Sequence, residues 1–303
     1  MLGISTCWWH KQVDRGDEIV RGILELGLKG VELEYRITET MYRQMKPMLK
    51  KDVKVLTIHN YFPKPEEFAN IKGSGDLFLL SSADRDERLR AVNYAIRTLE
   101  HAHDLEAKVV ILHLGRVEMP NPIFEIKELL GKGKTERNER LSFINEQRKI
   151  REARHQRHLD AVLSSLDVLN REAEKKDVFL GIENRYHFHE IPNFEEMEVI
   201  LKQFQGGHIV YWHDVGHAAV QEKIGFIGQK DLLEAFSEML AGIHLHDAKG
   251  LDDHFAPGQG EVSFEQIRLF LEPSHIKILE VHPKVGKKDL LNAIQYLKSL
   301  DIA

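Results

Sequence analysis

Residues 208–217 read His208-Ile209-Val210-Tyr211-Trp212-His213-Asp214-Val215-Gly216-His217. A short run of strand-forming residues ends on an acid, and a histidine follows three positions later. The pattern recurs in both directions. Upstream, Val-, Ile- and Leu-rich runs occupy Leu2 to Ser5, Gly30 to Glu34, Val53 to His59, Lys108 to His113 and Val178 to Glu183; downstream lie Gly242 to His246 and Ile276 to Val281. Between them, Asp17 to Leu26, Ala83 to Leu105, Arg151 to Lys175, Phe194 to Phe204, Gln229 to Met239, Phe264 to Leu271 and Lys287 to Leu300 place apolar residues at helical spacing, with charge on the other face. Strands apolar on both faces that alternate with helices make a parallel sheet covered by helices. Eight repeats favour closure into an α/β (β/α)8 TIM barrel. A doubly wound sheet has fewer strands and a glycine-rich phosphate loop after the first. Here the first run leads into Thr6-Cys7-Trp8-Trp9-His10, which holds no such loop. No composition break divides the chain, so residues 1–303 read as a single domain.

Composition narrows the chemistry. A formal net charge of -6 excludes a global basic field of the kind that holds a nucleic-acid backbone. The single cysteine, Cys7, excludes a disulfide framework and a cysteine-based zinc module, and reads as a buried thiol. Any metal must be held by nitrogen and oxygen. The opening Met-Leu-Gly-Ile-Ser-Thr lacks a basic region followed by a long apolar run, and no apolar stretch approaches the roughly 20 residues of a membrane span. The expectation is a cytoplasmic protein with no membrane partner; oligomeric state is not legible.

One segment is out of proportion. Between His113 and the helix leading into Val178 lies an insertion after the fourth strand, at about 117–157, which opens with Pro120-Asn121-Pro122. From Gly131 to His158 it carries nine Lys or Arg against four Glu. Loops of this length are uncommon unless they are functional or disordered. The expectation is a solvated helical excursion; the functional alternative is a lid that brings positive charge to a phosphate.

In a barrel the site lies at the C-terminal ends of the strands. There the runs finish as Ile58-His59-Asn60-Tyr61, Leu112-His113-Leu114, Ile182-Glu183-Asn184-Arg185, His213-Asp214-Val215-Gly216-His217, Ile243-His244-Leu245-His246-Asp247 and Leu279-Glu280-Val281-His282. Six strands ending in His, Asp or Glu would be costly without a cation to neutralise them. Carboxylate oxygen with neutral imidazole nitrogen suits Zn, Mn or Mg. Asp214 and His217, three apart, can aim at one centre, and Asp252-Asp253-His254 offers a further Asp-x-His pair.

These residues resemble the xylose isomerase-like barrel superfamily, which includes sugar phosphate isomerases and epimerases and apurinic endonuclease IV. The resemblance spans nearly the whole chain and rests on Gly181-Ile182-Glu183-Asn184, Asp214-Val215-Gly216-His217, His244-Leu245-His246-Asp247-Ala248-Lys249 with Asp252-Asp253-His254, and Ile278-Leu279-Glu280. In the epimerase branch it implies that Glu183, Asp214, His244 and Glu280 hold one Mn-like or Mg-like ion. Glu183 and Glu280 would then move the substrate proton, and His217 would contact a substrate hydroxyl. That branch often has an arginine shortly after the seventh-strand ligand, where this chain has Lys249. In endonuclease IV the resemblance implies three zinc ions and nine ligands: His59, His113, Glu183, Asp214, His217, His244, Asp252, His254 and Glu280. The first strand and its loop do not read like that enzyme's opening.

The expectation is therefore an enzyme with one to three divalent ions that isomerises or epimerises a small sugar or sugar phosphate. The alternative is an endonuclease IV-like phosphoester hydrolase, the only reading with a nucleic-acid partner. A non-catalytic barrel that binds a polyol or a metal is a third, and the paired Glu183 and Glu280 count against it. Trp8, Tyr61, Lys249 and His246 read as substrate contacts, Trp8 equally as core, and His246 also as a metal ligand, a donor behind one or an inward barrel residue. His101, His103, His155, His158 and His275 read as surface or capping residues, and His213 and His282 as bystanders. His187 and His189 read either as mouth or as loop.

Overall fold

The computed structural model describes residues 1–68, 70–131 and 137–303. Strands β1 (Leu2–Ser5), β2 (Gly30–Leu33), β3 (Lys54–His59), β4 (Val109–Leu112), β5 (Phe179–Glu183), β6 (Ile209–Asp214) and β7 (Leu240–Leu245) are followed by a short hairpin, β8 (Asp247–Lys249) and β9 (Asp252–Phe255), and then by β10 (Ile276–Leu279). Eight of these close a parallel barrel in the order β1-β10-β7-β6-β5-β4-β3-β2, while β8 and β9 pair antiparallel outside it. The (β/α)8 class read from the alternation is the observed one. β10 stops at Leu279, so Glu280 stands just beyond a strand end.

Helices α1 (Gly16–Glu25), α2 (Glu39–Met45), α3 (Arg85–Asp104), α4 (Ile123–Gly131), α5 (Arg137–Glu152), α6 (Gln156–Lys176), α7 (Phe194–Gln203), α8 (Val215–Ile224), α9 (Gln229–Phe236), α10 (Phe264–Arg268) and α11 (Lys287–Ser299) complete the chain. α8 escapes the periodicity because Val215, Gly216, His217, Ala218, Val220, Gln221 and Ile224 are all buried and leave no polar stripe to read. It starts directly at Asp214, whose Oδ1 accepts the His217 N–H at 2.7 Å and caps the helix.

Apolar side chains fill two layers. Leu56, Val109, Ile111, Trp212 and Ile278 form one buried cluster of strand residues, and the larger cluster packs strands against helices. Trp212 fits only because Gly242 has no side chain: a Cβ there would lie 2.3 Å from the indole and 2.6 Å from the Ile276 carbonyl oxygen.

The segment between β4 and α6 is helical and largely solvated along α5, yet one of its faces is packed. Ile123, Ile126 and Leu129 of α4 and Ile144 of α5 are buried in one cluster with Val220 and Ile224 of α8 and with Ala248 and Leu251 of the hairpin region. Its arginines act as fasteners. Arg151 is buried, pairs with both Glu196 oxygens at 2.9 and 2.7 Å, and donates to the carbonyls of Phe188 and Glu190. Glu196 closes a capping box with Asn193 at the start of α7, so one carboxylate ties α5 to α7. Arg148 donates to the carbonyls of Gly225 and Phe226, and Arg157 pairs with Glu118. Lys132 and Lys134 of the basic stretch lie outside the described residues. His158 also departs from expectation. It is buried, with Nδ1 2.8 Å from the Ser81 carbonyl oxygen and Nε2 accepting the Glu118 N–H at 3.2 Å.

Gly242→Ala should lower unfolding stability by about 1–3 kcal/mol through overpacking, read from the urea midpoint. An unchanged midpoint would mean that the barrel interior has slack there.

Candidate metal centre

Parallel register brings the polar strand ends together. Asp214 and His244 are paired across β6 and β7, His244 is paired with Ile278, and the Glu280 N–H donates to the Leu245 carbonyl at 3.2 Å. One ligand atom from each of Glu183, Asp214, His244 and Glu280 lies within 4.8 Å of the others, and all four residues are buried. His244 Nδ1 is 2.7 Å from Glu183 Oε1, 3.0 Å from Glu280 Oε2 and 3.5 Å from Asp214 Oδ2. One ring N–H can satisfy one of those oxygens. Three buried carboxylates around a single nitrogen need more positive charge than a proton provides, so these residues fit a divalent cation.

The other ring nitrogen supports the same reading. His244 Nε2 lies 3.0 Å from Glu32 Oε2, which accepts the Thr57 hydroxyl at 2.8 Å. A carboxylate behind a histidine fixes its orientation and raises its basicity as a ligand. Glu32 and Thr57 are register partners on β2 and β3, which places the hydroxyl.

Charges within the cluster are strongly perturbed. Burial and the neighbouring carboxylates of Glu32, Glu183 and Asp214 outweigh the attraction of His244 and push Glu280 up to about 8. At Glu183 burial acts in the same direction, but hydrogen bonds and charge from His113 and His244 outweigh it and hold the carboxyl well below its usual range. Two carboxyl groups of one cluster are thus driven apart.

Three further clusters adjoin the first; in one, His246 and His254 group with Glu280, and two more stand beside it. His59, His113 and Glu183 form one, with His113 Nε2 2.9 Å and His59 Nε2 4.0 Å from Glu183 Oε2. His217, Asp253 and His254 form the other, with Asp253 Oδ2 3.8 Å from His217 Nε2 and 3.5 Å from His254 Nδ1. The outer nitrogens are tied back: His59 Nδ1 to the Asn60 carbonyl at 3.1 Å, His113 Nδ1 to Asp76 Oδ2 at 3.2 Å, and His217 Nδ1 to the Asn184 carbonyl at 3.0 Å. Burial depresses His59 and His254 to about 3, which leaves both neutral at physiological pH.

Of the nine residues picked as ligands, eight converge on these clusters. Asp252 does not: its side chain is 75% exposed, 3.3 Å from Lys127 Nζ, and Asp253 faces inward in its place. His254 has φ 62°, so regular strand alternation fails there and consecutive residues turn to one site. His246 is buried behind the centre. Its Nδ1 accepts the His254 N–H at 2.9 Å, so Nε2 carries the proton and donates to Asp214 at 2.9 and 3.0 Å. Gly216 makes room for that ring, since a Cβ there would lie 2.1 Å from it.

The expected substrate contacts fare unevenly. Tyr61 is 1% exposed and donates to the Phe78 carbonyl at 2.8 Å, which makes it core rather than wall. Trp8 is buried, edge-on to Trp9, with its indole N–H on the Val285 carbonyl at 2.8 Å. Lys249 stands exposed on β8.

Sequence reasoning missed the residues behind the ligands. The Asn184 side chain accepts the Asp214 N–H at 2.7 Å and donates to the Asp214 carbonyl at 2.9 Å, clamping that residue's backbone. Asp247 accepts N–H groups of Ala248, Gly258, Gly260 and Val262 and so organises the loop after the hairpin. Glu32 had a readable signal, an acid inside an apolar strand run. Asp76 had none.

Glu32→Gln keeps the shape while removing the charge behind His244. It should weaken binding of Zn or Mn about 10- to 100-fold, measured by competition with a chromophoric chelator. An unchanged affinity would remove Glu32 from the centre.

The family model described as xylose isomerase-like TIM barrel matches residues 20–300. No curated protein matches the chain. Among solved structures, it is similar to 3-keto-D-glucoside 4-epimerase from E. coli (16% identity, 98% of each chain, TM-score 0.68). It is also similar to L-ribulose 3-epimerase (13% identity, 99% of this chain and 94% of that one, TM-score 0.69). A third is the IOLI protein with a zinc atom (14% identity, 99% and 96% coverage, TM-score 0.66). At these identities the structures speak for the fold, whereas the family model covers nearly the whole chain: the protein belongs to the xylose isomerase-like TIM barrel family.

Proposed function

We propose that this chain is a metal-dependent isomerase or epimerase of a small sugar or sugar phosphate. The observation that carries the reading is the buried quartet, with Glu183 Oε1 and Glu280 Oε2 both within 3.0 Å of His244 Nδ1. Glu183, Asp214, His244 and Glu280 would hold the ion. Such an ion, when bound, supplies Lewis-acid polarisation of carbonyl and hydroxyl oxygens.

The chain's own groups supply the proton transfer. One of Glu183 and Glu280 takes the proton from the carbon beside the carbonyl, and the other, holding a proton, returns one to that carbon. The substrate leaves with the same atoms and an inverted centre or a moved carbonyl, and the two glutamates exchange protonation states. His217 and His254 stand where substrate hydroxyl groups would be oriented. Solved structures with this fold that are named for sugar epimerases support the reading.

A second reading is favoured by one observation: the quartet and the His59–His113–Glu183 cluster share Glu183 and the others lie beside them, as a multi-metal phosphoester hydrolase would require. The net charge of -6 weighs against a DNA-backbone substrate.

Manganese-loaded protein incubated with a panel of ketoses and ketose phosphates in D2O should introduce deuterium at the epimerised carbon. Glu183→Gln and Glu280→Gln should each cut turnover by about 10²–10⁴-fold with unchanged circular dichroism. Full activity in Glu183→Gln, or efficient salt-sensitive cutting of abasic duplex DNA by the wild type, would contradict the proposal.

A further inference from the structure

Glu183 has a second oxygen, and its neighbours differ from those of the first. Oε2 is 2.9 Å from His113 Nε2 and 2.8 Å from Arg185 Nη1. The guanidinium continues the network, with Nη2 3.2 Å from Glu190 Oε1 and 3.5 Å from Asp76 Oδ2. Asp76 Oδ2 in turn lies 3.2 Å from His113 Nδ1. Glu190 is fixed by the His187 N–H on its Oε2 at 2.8 Å. The Arg185 side chain is 5% exposed, so this charge is an interior one.

We propose that Arg185 is the resident cation of the His59–His113–Glu183 cluster and keeps it free of metal. The inference concerns this cluster alone and does not need the epimerase reading.

Three physical points carry it. Arginine stays protonated under all ordinary conditions, so its charge cannot be given up to admit a metal. An ion at the usual distance of about 2.0–2.2 Å from Glu183 Oε2 would sit a few ångströms from the guanidinium, inside a medium that screens little. His113 cannot retreat to open the site, because the segment Ser74–Asp76 lies against it: a Cβ on Gly75 would be 2.6 Å from His113 Nδ1. Two donors therefore already occupy the carboxylate oxygen that an ion would need. The neighbouring quartet differs in that no guanidinium touches Glu183 Oε1, Asp214 or Glu280 among the described residues.

Removing Arg185 would leave Asp76, Glu183 and Glu190 without their common cation, and a divalent ion becomes the natural replacement. The test is metal content of protein produced with Zn and Mn supplied, desalted, and read by mass spectrometry with folding checked by circular dichroism. His113→Ala should hold the same number of ions as the wild type, and folded Arg185→Met should gain about one per chain. Loss of about one ion in His113→Ala overturns the proposal, as does a folded Arg185→Met that gains none. If Arg185→Met does not fold, the His113→Ala comparison decides alone. Asp214→Asn, measured beside them, reports on the quartet: an unchanged count there would sink the quartet reading while leaving the assignment of Arg185 standing.

Discussion

His244 sits where four buried carboxylates meet. Nδ1 faces Glu183, Glu280 and Asp214, and Nε2 faces Glu32. Charge at this density inside a protein is unfavourable unless it is compensated, and the surroundings are arranged to hold it in place. Burial alone would lower the His244 pKa, yet the charges of Glu280 and Glu32 hold it well above the usual range. The closed barrel contributes the registers that bring the strand ends together. Thr57 fixes Glu32, Asn184 clamps the backbone of Asp214, and His246 donates to the Asp214 carboxylate. Asp214 also caps α8, so the helix start and the centre share one side chain.

Elements outside the barrel serve the same centre. Packing of α4 and α5 onto α8 and the hairpin region braces the helix that carries His217 and the hairpin whose strand β9 carries Asp253 and His254. Arg151 ties α5 to the carbonyls at 188 and 190, next to the Glu190 that holds Arg185. Of the basic residues that suggested a phosphate lid in the sequence, Arg151 is an interior fastener, while Arg148 and Arg157 make contacts at the surface. Within the described residues, no helix is long and apolar enough to cross a membrane.

Legibility in the sequence tracked how each feature is encoded. Alternation of apolar runs with amphipathic helices exposed the eight strands and most of the helices, because burial of a sheet on both faces leaves an unbroken apolar signature. α8 left no such signature, most of its residues being buried, and on the largely exposed α5 the charge concealed that Arg151 is paired inside. The clustered acids and imidazoles at strand ends were readable as candidate ligands because such residues there have few other uses. Their supports were not: Asp76 lies in a loop without pattern, and Arg185 beside Glu183 looks like any surface charge. Asp252 and Asp253 could be told apart only by the left-handed backbone at His254. Tyr61 shows the limit of position alone, since the end of a strand can point a ring into the core.

Anomalous diffraction from crystals soaked in Mn decides whether the quartet is a cation site. A manganese peak should appear within coordinating reach of Glu183, Asp214, His244 and Glu280, with Glu32 still hydrogen-bonded to His244. A fully occupied crystal with no peak there, or with manganese only at His59 and His113, would contradict it.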